Sequence, residues 1–456
     1  MQNLFEDVGP LDRRCYEKFA LSEDLLMEHA AEGMAVYIRS NFAKGAKVII
    51  AVGSGNNGAD GITLARLLHN DYQVALLHVK EPKSPMAQLQ KKRANAIGIT
   101  ETKELFDADI IVEAIVGTGF KGTFPQEIAL LIENLNCAKA FKIACDMPSP
   151  GFYTDLTLTM GALKKALFLD AHKDAVGEIK VIDLGISRTL YEEESKWKLL
   201  ESADLKLPYR NYQDTHKGSY GHLAVISGEK IGASVLSAKA ALHFGSGLVT
   251  LVGFEKEHSL HIPYTLMYAH TLPKNTTAVA LGMGLGDEFS HNELLEFLNN
   301  DLPLLIDADL FHIKLLREIL KRENIILTPH PQEFVSLLKI AKLADTTVKN
   351  LQKDRFKYVE LFCKAYPNAA VLLKGANVII GKEDRFFINA NGSAKLAKGG
   401  SGDVLSGLIA SLLAQGYNPL EAAINGSLAH TELAKSYEGA DFSLTPDDLI
   451  AGIGKL

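Results

Sequence analysis

Two glycine-rich runs hold the residues with the widest chemical options. The first is Gly53-Ser-Gly-Asn-Asn-Gly-Ala-Asp-Gly61, set between an apolar run and a helix-compatible segment, Ile62–His69. Glycines let backbone amides approach a ligand, and a helix N-terminus attracts anions, so a phosphate-bearing ligand is expected here. No Gly-Lys-Ser/Thr follows, so it is not a P-loop. Asn56, Asn57 and Asp60 crowd it with side-chain oxygens, which is foreign to a standard dinucleotide fingerprint and suits a hard cation. A polar turn capping a helix is the plainer alternative. The second run, Ala397-Lys-Gly-Gly-Ser-Gly-Asp403, opens the apolar segment Val404–Gln415. There an anion would sit in amides at a helix start, and Asp403 could take a proton from an attacking hydroxyl.

Other polar residues fall at the ends of apolar runs. Glu113 precedes Gly117-Thr-Gly-Phe-Lys-Gly-Thr123, and Asp146 opens Asp146-Met-Pro-Ser149. Later come His216-Lys-Gly-Ser-Tyr-Gly221, Leu281-Gly-Met-Gly-Leu-Gly286, Asp307-Ala-Asp309, Thr328-Pro-His330 and Lys374-Gly-Ala-Asn-Val378. His330, between two prolines, is expected to be rigidly presented for substrate contact rather than buried. In open α/β sheets ligands bind beyond the carboxyl ends of strands, so the loops at 53–61, 113–123 and 146–149 would converge on one cleft, whereas the 216–221 run precedes its first strand.

The elements that must position them alternate strand and helix. An amphipathic stretch, 23–40, is followed by β-rich runs at 47–52, 74–79, 109–115, 141–145, 156–160 and 180–184. A second series runs through 222–227, 248–252, 278–281, 304–306, 325–327, 371–373 and 378–380, closed by apolar helices at 404–415 and 419–436. This spacing predicts parallel sheets built of βαβ units. The charged stretch around 187–215 reads as a linker or joining helix, and the boundary is placed near 204, giving domains 1–203 and 204–456.

The first half resembles the NAD(P)H-hydrate epimerase domain, a Rossmann-like three-layer α/β/α fold related to the apolipoprotein A-I binding protein. G-S-G-N-N-G-A-D-G, V-E-A-I-V-G-T-G-F, D-M-P-S and Leu158-Thr-Met-Gly-Ala-Leu-Lys164 carry the resemblance, over roughly 25–186. It implies that Asn56, Asn57, Gly58, Ala59 and Asp60, with Gly117, Thr118, Gly119, Phe120, Lys121, Gly122 and Thr123, hold the hydrated nucleotide. It implies a potassium ion on Asn57, Glu113 and Ser149, acid–base work at C6 of the ring by Asp146, and Lys164 beside the substrate. The chain departs from the family pattern with Ala59 and Pro150 for glycines, Glu113 for aspartate, and a short connection from Ser149 to Asp155.

The second half, from about 210 to the C-terminus, resembles the ADP-dependent NAD(P)H-hydrate dehydratase family of the ribokinase-like fold. H-K-G-S-Y-G, G-A-S, G-M-G-L-G, D-A-D-L, L-T-P-H-P-Q-E-F, L-K-G-A and G-G-S-G-D occur in that family's order. The resemblance implies that Ala233, Gly284, His330 and Asp403 contact the hydrated substrate. Lys374, Gly375, Ala376, Asn377, Val378 and Gly402 would contact the adenine nucleotide, with ADP as co-substrate. Magnesium is expected from phosphoryl-transfer chemistry.

The leading expectation is a bifunctional repair enzyme, an epimerase joined to a dehydratase acting on hydrated NADH and NADPH. The alternatives are a ribokinase-like kinase of a small alcohol or vitamin precursor with a regulatory N-terminal domain, or an N-terminal half that only binds. A net charge of −7 excludes a basic nucleic-acid binder. No apolar run reaches the roughly 18 residues of a spanning helix, and the start lacks the apolar core of a signal peptide. Four scattered cysteines without C-x-x-C spacing fit a reducing cytoplasm. The Ala- and Leu-rich late helices suggest a homo-oligomer.

Overall fold

The computed structural model describes residues 1–105, 107–120, 122–253, 262–287 and 289–456. They divide into two compact units, Asn3–Ser195 and Met1–Gln2 with Lys196–Leu456.

The smaller unit is built on seven parallel strands, in spatial order Thr100–Thr102, Gln73–His78, Lys47–Val52, Ile110–Ala114, Phe141–Cys145, Leu156–Met160 and Glu178–Ile182. Its central strands, Gln73–His78, Lys47–Val52 and Ile110–Ala114, are buried on both faces because both are covered. Val48, Ile50 and Val52 pack with Leu26, Met34 and Ile38 of helix Glu23–Asn41. Ile49, Ala51 and Ile111 pack the other way, on Ile128, Ile132 and Leu135 of helix Gln126–Cys137. The result is the expected three-layer α/β/α arrangement. The chain leaves the central strand Lys47–Val52 in one direction and returns to its other side at Ile110–Ala114. The crevice at that reversal lies just beyond Val52 and Ala114, where a ligand site is expected.

The Gly53 run differs from its expected form in one respect. The helix begins at Asn56, not at Ile62, and runs to Leu68 from an extended N-cap at Gly55. The loop is therefore short, and Asn56, Asn57 and Asp60 are displayed on the first helical turns. Gly53 is required for this: a Cβ there would stand 1.8 Å from the carbonyl oxygen of Ile115.

In the larger unit the order is Met267–Ala269, Leu248–Gly253, His222–Ser227, Ala278–Leu281, Leu304–Ile306, Ile325–Leu327, Ala369–Leu373, Val378–Lys382, Arg385–Asn389 and Trp197–Leu199. The strands are parallel through Ala369–Leu373, and a meander then adds two antiparallel strands. Helix Ser401–Ala414 is buried on nearly every side, as its apolar composition demands. The reversal lies between His222–Ser227 and Ala278–Leu281.

Residues 196–203 fall with this unit rather than with the N-terminal half. Trp197 is 2% exposed, stacks on Phe386 at 4.7 Å, and donates its indole N–H to Glu360 at 2.6 Å. Strand Trp197–Leu199 pairs with Arg385–Asn389. A charged stretch with one tryptophan hides a strand whose apolar partners lie far along the chain. Among the described residues no helix is long and apolar enough to cross a membrane.

Candidate active sites

At the reversal of the smaller unit is a cavity of about 530 Å³. Its wall includes Asn56, Asn57, Asp60, Gly117, Thr118, Gly119, Phe120, Asp146 and Lys164. Gly58 and Ala59 are buried and do not line it, and the Ala59 methyl packs with Met27 and Ala87. Gly122 and Thr123 lie off the wall, and Lys121 is outside the described residues.

Asp146 takes a left-handed backbone conformation, φ 71°, uncommon for a side chain other than glycine's. It ends strand Phe141–Cys145, and its Oδ1 accepts from the Lys164 ammonium at 2.5 Å, the Met160 amide at 3.1 Å and Thr159 Oγ1 at 3.3 Å. Lys164 is 1% exposed and also donates to Thr159 Oγ1 and the Met160 carbonyl. Asp146 therefore reaches the cavity as a charge-paired, oriented carboxylate. Asp60 keeps a little surface on the cavity but is surrounded by protein. That burial, with the charges of Asp146 and Asp12, pushes its carboxyl well above the ordinary range.

Glu113 is fully buried beneath the loops. It accepts from the Ser149 amide at 2.8 Å, Ser149 Oγ at 2.7 Å and the Ile115 amide at 2.7 Å. Burial lifts it to about 7 despite these bonds. Pro150 takes no donor from this arrangement, because the amide that serves Glu113 belongs to Ser149. Both polar atoms of the Asn57 side chain are buried with no hydrogen-bond partner among the described residues.

In the larger unit the predicted residues gather at the carboxyl ends of the parallel strands. Ala233, after strand His222–Ser227, lies against Gly284, after Ala278–Leu281: a Cβ on Gly284 would meet that of Ala233 at 3.0 Å. Asp307 accepts from the Lys374 ammonium at 2.6 Å and from Ser406 Oγ at 2.6 Å. Asp309 accepts from the Gly286 amide at 2.9 Å. Asp403 sits in the first turn of helix Ser401–Ala414, whose N-cap Gly400 has φ 88°. Burial raises its carboxyl to about 6; Asp307 and Asp309 push the same way and Lys374 opposes them. The Lys374 amine also reaches the helix start, 3.6 Å from where a Cβ on Gly402 would be.

Three further residues are placed differently from what the sequence suggested, or were not signalled by it. The His330 ring is half exposed, as expected, but it also caps helix Pro331–Ile340: Nδ1 accepts from the Gln332 and Glu333 amides, and Nε2 lies 3.1 Å from Glu333. Arg355, completely buried, donates to the carbonyls of Asn377 at 3.0 Å and Lys374 at 2.9 Å, fixing the loop whose exposed tip is Gly375 and Ala376. His430, buried and held near 4 by desolvation, contacts Ser401 Oγ at 3.1 Å behind the helix start. The His216–Gly221 run lies at the opposite, amino-terminal end of the strands and does not join the site.

The family described as NAD(P)H-hydrate dehydratase matches residues 223–453, and that described as the YjeF-related protein N-terminus matches 23–166. The bifunctional NAD(P)H-hydrate repair enzyme of Helicobacter pylori is 42% identical, with both chains covered in full. The chain belongs to the bifunctional NAD(P)H-hydrate repair enzymes. The Coxiella burnetii repair enzyme is 31% identical over 97% of this chain and 96% of its own. Among solved structures, a Bacillus subtilis ADP/ATP-dependent NAD(P)H-hydrate dehydratase co-crystallised with ATP/Mg2+ is 27% identical, covering 55% of this chain and 92% of that one, with a TM-score of 0.47. Membership in the repair-enzyme family, with an epimerase-type half and a dehydratase half, does not favour the small-alcohol kinase alternative.

Proposed function

We propose that the smaller unit interconverts the R and S epimers of hydrated NADH and NADPH, and that the larger unit dehydrates the S epimer with ADP as phosphoryl donor. The observation that carries this reading is a pair of sheet reversals, each with a glycine-bearing helix start and a placed carboxylate: Asp146 on Lys164 in one, Asp403 beside Lys374 in the other.

In the first cavity the Gly117–Phe120 loop and the start of helix Asn56–Leu68 would hold the nucleotide. Asp146 would exchange a proton at the C6 oxygen, and Lys164 pairs with its carboxylate and aims it. Asn57, Glu113 and Ser149 fit a potassium ion: the Asn57 oxygen is buried without a partner, and the Glu113 carboxyl is buried without a cation among the described residues. Such an ion would supply positive charge that ties the two loops together.

In the second site Asp403 would take the proton of the C6 hydroxyl, whose oxygen attacks the terminal phosphorus of ADP, releasing AMP. The nitrogen lone pair then expels phosphate from C6, and loss of a C5 proton restores the dihydronicotinamide. Lys374 and the amides of residues 400–402 face the charge that develops on the phosphoryl group. Asp307 is committed to Lys374 and Ser406, and Asp309 to Gly286, so magnesium would be carried largely by the nucleotide's own oxygens. We place this chemistry in the cytoplasm, a reading supported by four unpaired cysteines.

The test mixes the protein with the separated R and S hydrates and ADP, and follows the return of dihydronicotinamide absorbance. Recovery of both epimers is expected, with the R epimer dependent on Asp146 and both on Asp403. No recovery with either ADP or ATP refutes the proposal.

A further inference from the structure

The first cavity holds a carboxyl group that the mechanism above does not use. Asp12, on helix Gly9–Phe19, lines the same wall as Asp60, Asp146 and Lys164. Its Oδ1 accepts from the Tyr191 hydroxyl at 2.7 Å, whereas Oδ2 makes no hydrogen bond among the described residues. Tyr191 is 2% exposed and closes over Gly161, φ 74°, where any Cβ would stand 2.5 Å from its ring. The phenol is thus fixed by packing, and it fixes one oxygen of Asp12 while leaving the other for the cavity.

The surroundings also decide which form Asp12 takes. Burial raises its carboxyl above the ordinary aspartate range; Asp146 and Asp7 push it further, while Tyr191 and Lys164 pull it back. Four carboxyl groups, Asp7, Asp12, Asp60 and Asp146, line this wall with Lys164 as its one ammonium among the described residues, and Lys164 is bonded to Asp146. Burial first, and the neighbouring like charges after it, favour the protonated forms of Asp12 and Asp60.

Resting on the epimerase reading, we propose that Asp12 is a second catalytic acid–base group, working on the C6 oxygen from the face of the ring that Asp146 does not serve. Through an iminium, epimerisation breaks a C–O bond on one face of the ring and forms one on the other. One carboxylate anchored by Lys164, Thr159 and Met160 cannot swing to both. Asp12 Oδ2–H gives its proton to the C6 hydroxyl, the C6–O bond breaks, and water leaves. The ring nitrogen lone pair becomes the second bond of an N1–C6 iminium. A solvent water then adds to C6 from the opposite face, the nitrogen regains its lone pair, and the added water passes a proton to Asp146. One proton has moved from Asp12 to Asp146, and the opposite epimer is processed with the two roles exchanged.

The experiment uses the full chain with the R hydrate in heavy-oxygen water, and reads both epimer conversion and heavy oxygen at C6. Asp12→Asn is expected to lower kcat for epimerisation by about 10²–10⁴-fold, to slow oxygen incorporation equally, and to leave KM for the R hydrate within about threefold. Asp12→Glu restores part of both rates. Tyr191→Phe, which deletes one hydroxyl from a packed ring, gives a smaller fall in both. Recovery of the S hydrate through Asp403 is unchanged in all three. Wild-type conversion and oxygen incorporation in Asp12→Asn, or a raised KM with kcat unchanged, overturns the proposal. If Asp12→Asn does not fold, a wild-type oxygen-incorporation rate in Tyr191→Phe overturns it. If the wild-type chain does not convert the R hydrate at all, it is the epimerase reading that fails.

Discussion

Replacing Asp403 with asparagine separates what this residue costs the fold from what it does for the reaction. Its carboxyl is raised from the ordinary 3.8 to about 6, chiefly by burial and next by Asp307. As a base it must be ionised, so wild-type dehydration of the S hydrate should fall on an acid limb near pH 6 and be about nine-tenths available at pH 7. The stability effect has the opposite sign. The folded state holds the Asp403 proton more tightly than the unfolded chain, so folding is disfavoured increasingly as pH rises from about 4 to 6 and levels off above. A rise from 3.8 to about 6 corresponds to about 3 kcal/mol in full, and to about 1–2 kcal/mol after discounting for partial solvent access. Asparagine keeps the shape and removes the charge. At pH 7, Asp403→Asn should therefore lower kcat by about 10²–10⁴-fold while raising the unfolding temperature of its unit by a few degrees. Stopped assays across pH 5–8 and differential scanning calorimetry read the two effects. A variant with wild-type kcat, or one that keeps the acid limb near pH 6, refutes the assignment. A lower unfolding temperature refutes the electrostatic argument.

Further outcomes are equally direct. Lys164→Met leaves Asp146 without its buried partner and should destabilise the smaller unit by about 3 kcal/mol in urea unfolding; adding Asp146→Asn should restore most of that loss. Arg355→Met frees the carbonyls of Asn377 and Lys374, and should raise KM for ADP at least several-fold while leaving R-to-S conversion unchanged. Trp197→Ala removes a ring stacked on Phe386 and should cost the larger unit about 3–5 kcal/mol, read by denaturant unfolding. Exchanging potassium for a bulky organic cation should slow epimerisation and spare dehydration, as measured on the separated epimers.

Much of the architecture is legible because buried parallel strands are continuous apolar runs. Ala278–Leu281, Leu304–Ile306 and Ile325–Leu327 are bounded in the structure where their composition ends. Polar loops at their carboxyl ends were equally visible. Thr100–Thr102 was not, because a three-residue edge strand of threonines and a glutamate carries no apolar signal. Nor was Trp197–Leu199, whose reason for being a strand is Arg385–Asn389, far along the chain. The helix start at Asn56 escaped because glycine, asparagine and aspartate favour loops locally, and only the extended N-cap at Gly55 turns them into a helical turn.

The candidate sites divide in the same way. Glycine spacing and strand-end position brought Asn57, Asp146, Lys374 and Asp403 into view from the chain alone, and the family resemblance added Lys164. Asp12, Tyr191, Arg355 and His430 lay among ordinary neighbours, and Asp12 precedes the stretch that carries the family resemblance. Sequence by itself determined most of the strand series, the two glycine-rich loops and the family, because these depend on residue type and local spacing. Tertiary structure decided that Glu113 bonds Ser149, that Lys164 pairs with Asp146 and that Tyr191 holds Asp12. It also decided that burial lifts Asp403 toward neutrality. Each of these depends on which distant residues surround a charge and on how little water is left beside it.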